Sequence, residues 1–251
     1  MATDNNSSVL RAIFSRTFVA ISLINMLGMV AYYAIFVICT HFAAEQFGAS
    51  LAMAGLATGI VVIGCLVGRF FTGSIIHTVG YRRVLFIGVA VMFLMNAAYL
   101  IVGALWPLII VRFISGVAMG VIGTATGTFV ATIVPRHLHG RGIAYYSMST
   151  ALALCFGPFI GIALLGTIGY TGIFTIATTL SGISLLLMYF VIDATPKLDR
   201  TKPKKSITLD DFIDRRLVPF SIWVGIVCIC WGNVQALLAG YAQEYDVVAA
   251  A

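Results

Sequence analysis

Two arginines, Arg69 and Arg112, stand inside stretches that are otherwise apolar. Arg112 lies about six residues inside one end of its stretch, which is roughly 9 Å of depth at the helical rise per residue. A charge at that depth is costly and marks either a function or a buried partner. No Asp or Glu occurs in the first six apolar stretches, the nearest being Glu45 and Asp193 at their ends. Arg112 must therefore use backbone carbonyls, a group supplied from elsewhere, or an anionic ligand, and it is read as a ligand contact or a tie between helices. Arg69 sits near the end of its stretch and can snorkel to the polar boundary. Polar groups in the same apolar surroundings are Asn25, Tyr32, Tyr33, Thr124, Thr126, Thr128, Tyr145, Tyr146 and Ser149. Rings that carry a hydroxyl suit an amphipathic organic ligand, and each also fits an interhelical hydrogen bond or an interfacial aromatic. Asn25 with Tyr32, two turns apart on one face, is the preferred pair. Enzymatic chemistry finds no footing: His41, His77, His137 and His139 fall at the ends of stretches, with no paired buried acids and no metal-ligand spacing. The five cysteines read as structural thiols, since Cys228 and Cys230 would point about 200° apart on a helix. No metal and no cofactor is expected.

The elements that must hold these residues are seven apolar stretches, at 17–40, 50–75, 84–104, 106–134, 142–166, 170–192 and 218–240. Each suffices to cross a hydrocarbon core, which takes about 20 helical residues. Composition agrees, with 61% hydrophobic and 10% charged residues and a mean hydropathy of +1.04, far from a soluble domain's usage. All Lys and Arg outside the stretches occupy alternate connections: Arg11 and Arg16, then Arg82 and Arg83, then Arg136 and Arg141, then the run from Lys197 to Arg216. The connections near His41, Val102 and Thr167 carry none. The positive-inside rule places the N-terminus in the cytoplasm. The net charge of +6 thus belongs to loops facing anionic lipid and not to a nucleic-acid surface. The expected order is a cytoplasmic N-terminus (1–16), a six-helix bundle (17–192), a cytoplasmic linker (193–216) and a seventh helix opening an incomplete second bundle (217–251). Within the linker, Thr208 and Asp211 are a capping pair for a short helix. An isolated seventh helix lacks partners, so the chain reads as cut short.

Small residues decide which helices touch in lipid, where the hydrophobic effect does not bring helices together. Gly55 with Gly59 and Gly64 with Gly68 form two GxxxG pairs in the second stretch, and Gly116, Gly120, Gly123 and Gly127 line one broad face of the fourth. Pro158 in the fifth, with Gly157 before it and Gly161 after, removes a backbone hydrogen bond and predicts a bend there.

Three motifs now stand in a fixed order. GSIIHTVGYRRVL, from Gly73 to Leu85, joins the second and third stretches, and it resembles the loop pattern GxLaDRxGRRxxL of the major facilitator superfamily. Gly73, Gly80, Arg82, Arg83 and Leu85 fit, and Ile75 replaces Leu. His77 stands where the family has an acid, and Thr78 where it has a base. RFISGVAMG, from Arg112 to Gly120, resembles the family's RxxxGxxxG motif, and GPFIG, from Gly157 to Gly161, resembles the GPxxG motif of its antiporters.

The resemblance covers essentially the whole chain, as the first half of a twelve-helix transporter plus helix seven, and looks closest to the drug and metabolite export branch. It implies alternating access, a small organic substrate bound among helices one, two, four and five, and proton coupling. Coupling needs a titrating group in the path: the missing half supplies it, or Arg112 and a substrate group take part, or transport is facilitative. By its depth Arg112 reads as gate, coupling residue or substrate contact, or as a tie to a neighbouring helix. In the family the loop acid helps hold the inner gate. With His77 in its place the outward-facing state is expected to be less firmly locked. A second copy of the chain or a missing C-terminal half would supply the other bundle. A bacterial plasma membrane is the expected location. The rival readings are a truncated, transport-inactive membrane protein and a seven-helix receptor, the latter opposed by the cytoplasmic N-terminus.

Overall fold

A computed structural model gives the fold and describes residues 14–192, 219–227 and Cys230, apart from the side chain of His77. The chain divides into two units, Met1–Leu198 and Asp199–Ala251. The described part of the first unit is all helix and short connections.

Helix α1 (Arg16–Phe47) opens at Ser15, whose hydroxyl accepts the Phe18 N–H at 3.2 Å, and closes at Gly48 in the left-handed conformation, φ 60°. Glycine is the residue that adopts this cap without strain. The stop is therefore set by Gly48, and α1 runs through His41 and Glu45 well beyond its apolar stretch. Ser50 caps α2 (Leu51–Val79) by accepting the Met53 N–H at 3.4 Å. Gly80 alone separates α2 from α3 (Tyr81–Ala98), with φ 99° and ψ 144°, a conformation essentially closed to other residues. The expected start at residue 84 thus moves back, and Arg82 and Arg83 lie in the first turn of α3. A single 3-10 turn (Tyr99–Ile101) follows. Helix α4 (Leu105–Ile133) takes Pro107 in its first turn, where a missing N–H removes no helical bond. A second 3-10 turn (Arg136–Leu138) leads into the helical run His139–Leu187.

That run is not one rod. Gly169, at φ 65° and ψ −176°, breaks it into α5 (139–168) and α6 (170–187). Pairings with α1 give the directions. Asn25 meets Ser149 and Gly157 meets Val30 and Tyr33, so α5 runs parallel to α1. Tyr170 reaches Glu45 and the Ile192 N–H reaches Thr17, so α6 runs back. The break at Gly169 falls in the connection expected near Thr167, between the stretches 142–166 and 170–192. The bend expected at Pro158 leaves no break, because helical dihedrals continue through it.

Among the described residues, five stretches are long and apolar enough to cross a membrane, the last being Arg136–Phe190 with 55 residues. Fully helical, it would extend about 80 Å, against a hydrocarbon core of about 30 Å, and the break at Gly169 resolves the excess into two rods. The direction alternates along the chain. Arg16, Arg82, Arg83, Arg136 and Arg141 therefore gather at the end where α1, α3 and α5 begin. Glu45, the one acidic residue among the described residues, lies at the other.

Two apolar clusters fill the interior, one around Phe18, Ile24, Leu85 and Phe129 toward the basic end, the other around Ile38, Phe42, Leu108 and Phe174 toward the far end. Outward faces are apolar as well, with Leu66, Phe159 and Leu186 about 70% exposed. Such a surface belongs in lipid. In the second unit, residues 219–227 are helical from Pro219 onward and expose Phe220, Ile222 and Trp223. The linker, its proposed cap at Thr208 and Asp211, and most of the seventh helix lie outside the described residues.

Candidate functional site

Glycine contacts between α2 and α4 set the position of Arg112. A Cβ on Gly116 or Gly120 would strike the carbonyls of Val61 or Cys65, and one on Gly64 or Gly68 would strike those of Phe113 or Val117. The two backbones thus touch reciprocally over two turns, with side chains excluded from the seam. One turn before Gly116, the Arg112 side chain has no exit and lies against α2, only 1% exposed. Its Nε donates to the Ala57 carbonyl at 3.3 Å and its Nη2 to the Thr58 carbonyl at 3.4 Å. These are long bonds from a group with five donors. The guanidinium carbon sits 5.8 Å from the Phe36 ring centroid, within cation–π range.

Phe36 connects Arg112 to two of the other expected residues. It stacks on Tyr32 at 5.9 Å, and Tyr32 meets Tyr33 edge-on at 5.1 Å. The row Tyr33, Tyr32, Phe36, Arg112 crosses from α1 to α4, and both tyrosines are half-buried. Beside it the hydroxyls of Thr40 and Thr58 pair at 2.8 Å, tying α1 to α2. Glu45, exposed at the end of α1, takes the Tyr170 hydroxyl at 2.6 Å. Arg112 is thus a buried cation held by carbonyls, a ring and the Tyr99 hydroxyl, with no carboxylate partner among the described residues. An incoming anion or a strongly polar group would find preorganised positive charge in a low-dielectric setting.

The remaining residues expected at the site separate from this row. Asn25 is fully buried against α5, its amide nitrogen donating to the hydroxyls of Thr150 at 2.9 Å and Ser149 at 3.3 Å. It shares a helix face with Tyr32 but its polar contacts lead to another neighbour. Thr126 donates to the Ile122 carbonyl at 2.7 Å, so the Tyr146 hydroxyl, also at 2.7 Å, donates to Thr126 and ties α5 to α4. Tyr145 is exposed and packs on Phe14, with centroids 5.2 Å apart. Thr124 is half-buried, and its carbonyl accepts the Thr128 hydroxyl at 2.8 Å. Phe36, which joins the row, was not marked by the sequence reading, although its place one turn after Tyr32 is an available signal. Asn96, buried and bonded to Ser181 at 2.6 Å, was likewise missed.

The loop motif is a turn and two helix ends. Gly80 supplies the positive φ, Gly73 is exposed in open space, and Arg82 and Arg83 are exposed. His77 lies near the end of α2, its side chain outside the described atoms. The motif in α5 is a packing surface: a Cβ on Gly157 would come within 2.5 Å of Tyr33 Cβ, and one on Gly161 within 2.7 Å of the Ala34 carbonyl. Pro158 beside them is half-buried. Among the described residues no three His, Cys, Asp or Glu side chains come together.

Comparison with known proteins agrees with this arrangement. The sequence profile of the Major Facilitator Superfamily matches residues 21–249. The chain is 28% identical over 169 residues to a probable plastidic glucose transporter of Arabidopsis thaliana, covering 60% of this chain and 32% of that protein. It is 26% identical over 118 residues to a multidrug resistance efflux pump homologue of Lactococcus lactis, covering 47% and 29%. An uncharacterized MFS-type transporter of Bacillus subtilis, YfkF, is 23% identical over 203 residues, covering 80% and 50%. Among solved structures, the human organic anion transporter MFSD10 superposes with a TM-score of 0.62 at 16% identity, covering 78% of this chain and 51% of that one. The inward-open xylose transporter XylE of E. coli gives 0.58 at 19%, covering 70% and 48%. The chain spans half or less of the length of these curated relatives. Profile, fold and apolar helices together identify it as a multi-pass membrane protein that belongs to the Major Facilitator Superfamily.

Proposed function

We propose that this chain is the N-terminal six-helix bundle, with helix seven, of a secondary transporter for small organic solutes. It works by alternating access and exports its substrate in exchange for protons. Its N-terminus is cytoplasmic, and the membrane is a bacterial plasma membrane. The observation that carries the reading is Arg112, a buried cation in an aromatic row with no carboxylate partner among the described residues. A tie between helices needs no charge and is made at lower desolvation cost by a neutral side chain, whereas a transport path uses the charge to meet a substrate or coupling group. The second bundle comes from the rest of a longer polypeptide or from a second copy. The antiporter-like motif in α5 supports proton exchange, and any titrating carboxylate in the path comes from that other bundle.

Energised bacterial cells producing the chain, loaded with ethidium, carboxyfluorescein or labelled glucose, provide the test. The expected result is loss of one of these solutes faster than from cells carrying empty vector, slowed to the vector rate by a protonophore and by Arg112→Met. Loss of all three at the vector rate overturns export by paired copies of this chain, and fast loss that ignores the protonophore overturns proton coupling.

A further inference from the structure

The outer wall of the bundle carries a recess that the transport reading does not use. It lies between the start of α3 and the end of α6, has a volume of about 670 Å³, and is walled by Phe86, Ile87, Leu185 and Met188, with Arg82 and Arg83 at its rim. The two helices are tied at their far halves, where Asn96 bonds Ser181 and the Tyr99 ring stacks on Phe174 at 5.2 Å. Toward the basic end the recess lies between Phe86 and Ile87 of α3 and Leu185 and Met188 at the end of the run. Phe86 and Ile87 are 50% and 55% exposed, while both arginines are exposed. The one acidic residue among the described residues, Glu45, lies at the opposite end. The start of α3 adds its own positive field, and Gly80 has no side chain to cap it.

We propose that this recess binds one anionic phospholipid, its phosphate between Arg82 and Arg83 and an acyl chain along Phe86, Ile87 and Met188. An apolar slot with two cations at one mouth matches a molecule with one anionic end and a long hydrocarbon tail. A soluble anion would satisfy the arginines and leave the slot unfilled, and a zwitterionic lipid would fill the slot and bring its own cation to the arginines. The occupant is therefore both anionic and acylated. A smaller recess of about 370 Å³ on the other flank of α6, with Arg16 beside Val19 and Phe190, repeats the same combination of cation and apolar wall.

Native mass spectrometry of the purified chain in detergent, titrated with dioleoyl phosphatidylglycerol or dioleoyl phosphatidylcholine, reads the occupancy. Wild type should retain the glycerol lipid well above the choline lipid. Arg82→Gln with Arg83→Gln should weaken phosphatidylglycerol binding about thirty-fold, from the attraction of two cations. The matched pair Arg136→Gln with Arg141→Gln should stay within about two-fold, because it removes equal charge at the same end outside the recess. Ile87→Trp fills the slot at an exposed position and should lower retention with every charge in place. It carries the test should the double variant fail to purify as one species. Equal retention of the two lipids by wild type, equal loss in both double variants, or displacement of the lipid by excess inorganic phosphate would each overturn the proposal.

Discussion

Arg112 sets a conflict between stability and role within a single side chain. Burying a guanidinium costs several kcal/mol after relaxation, and two long carbonyl bonds, one ring contact and the Tyr99 hydroxyl repay only part of that. Arg112→Met, which keeps the volume and removes the charge, is expected to leave the melting temperature in detergent unchanged or raised while abolishing solute efflux. Arg112→Lys keeps the charge but loses the fork that spans Ala57 and Thr58, and should retain partial efflux. A fall in melting temperature of more than about 5 °C for Arg112→Met, roughly 1 kcal/mol or more at this size, would make the residue a structural tie. The position of this charge was legible from its lone place in an apolar run. Its acceptors were not, because backbone carbonyls carry no signature in sequence.

At the scale of elements, the glycine stripes divide by what stands opposite. Gly116→Ala and Gly120→Ala would drive a methyl group into an adjacent backbone, and each should destabilise by about 1–3 kcal/mol through overpacking. Gly123→Ala and Gly127→Ala meet nothing within 4 Å and should be neutral or stabilising by up to about 1 kcal/mol, the helix propensity gain. Thermal melting of the four variants decides it, and equal losses at all four would contradict the seam. Gly80→Ala, at φ 99°, should cost about 1–3 kcal/mol through backbone strain alone. The sequence located these helices but not their inward faces, for a reason peculiar to lipid. Both sides of such a helix are apolar, so hydropathy has no direction, and residue size is the informative variable. In α5 the buried positions Ser149, Ala153, Gly157 and Gly161 recur every fourth residue and are all small, a stripe in which the sequence reading marked the two glycines and, as a polar group, Ser149, but not Ala153. The reversal near Thr167 was legible from the gap between two apolar stretches, and Gly169 provides the positive φ it needs; the bend expected at Pro158 was not found, because the helical dihedrals continue through the proline.

For the whole molecule, the gathering of arginines at one end gives an orientation that can be checked. Single cysteines introduced as Ala49→Cys and Arg83→Cys, in a background lacking the native thiols, stand at opposite ends of the bundle. A membrane-impermeant maleimide should label Ala49→Cys in intact cells and Arg83→Cys only after permeabilisation; the reverse pattern would invert the topology. The alternation of basic connections was plain in the sequence because cations are rare here and their spacing is regular. The neighbour relations of the rods were not, since α1 packs parallel to α5 and α2 parallel to α4, partners far apart in the chain. The fixed charge of Arg112 has an electrical corollary. Each elementary charge carried across the whole membrane field exchanges about 2.3 kcal/mol per 100 mV. Rocking that shifts this guanidinium by a tenth of the field then couples about 0.2 kcal/mol per 100 mV to the conformational equilibrium. Under the alternating access proposed above, the bundle would act as a weak voltmeter, its preferred state tilting with the energisation of the cell even before any ion binds.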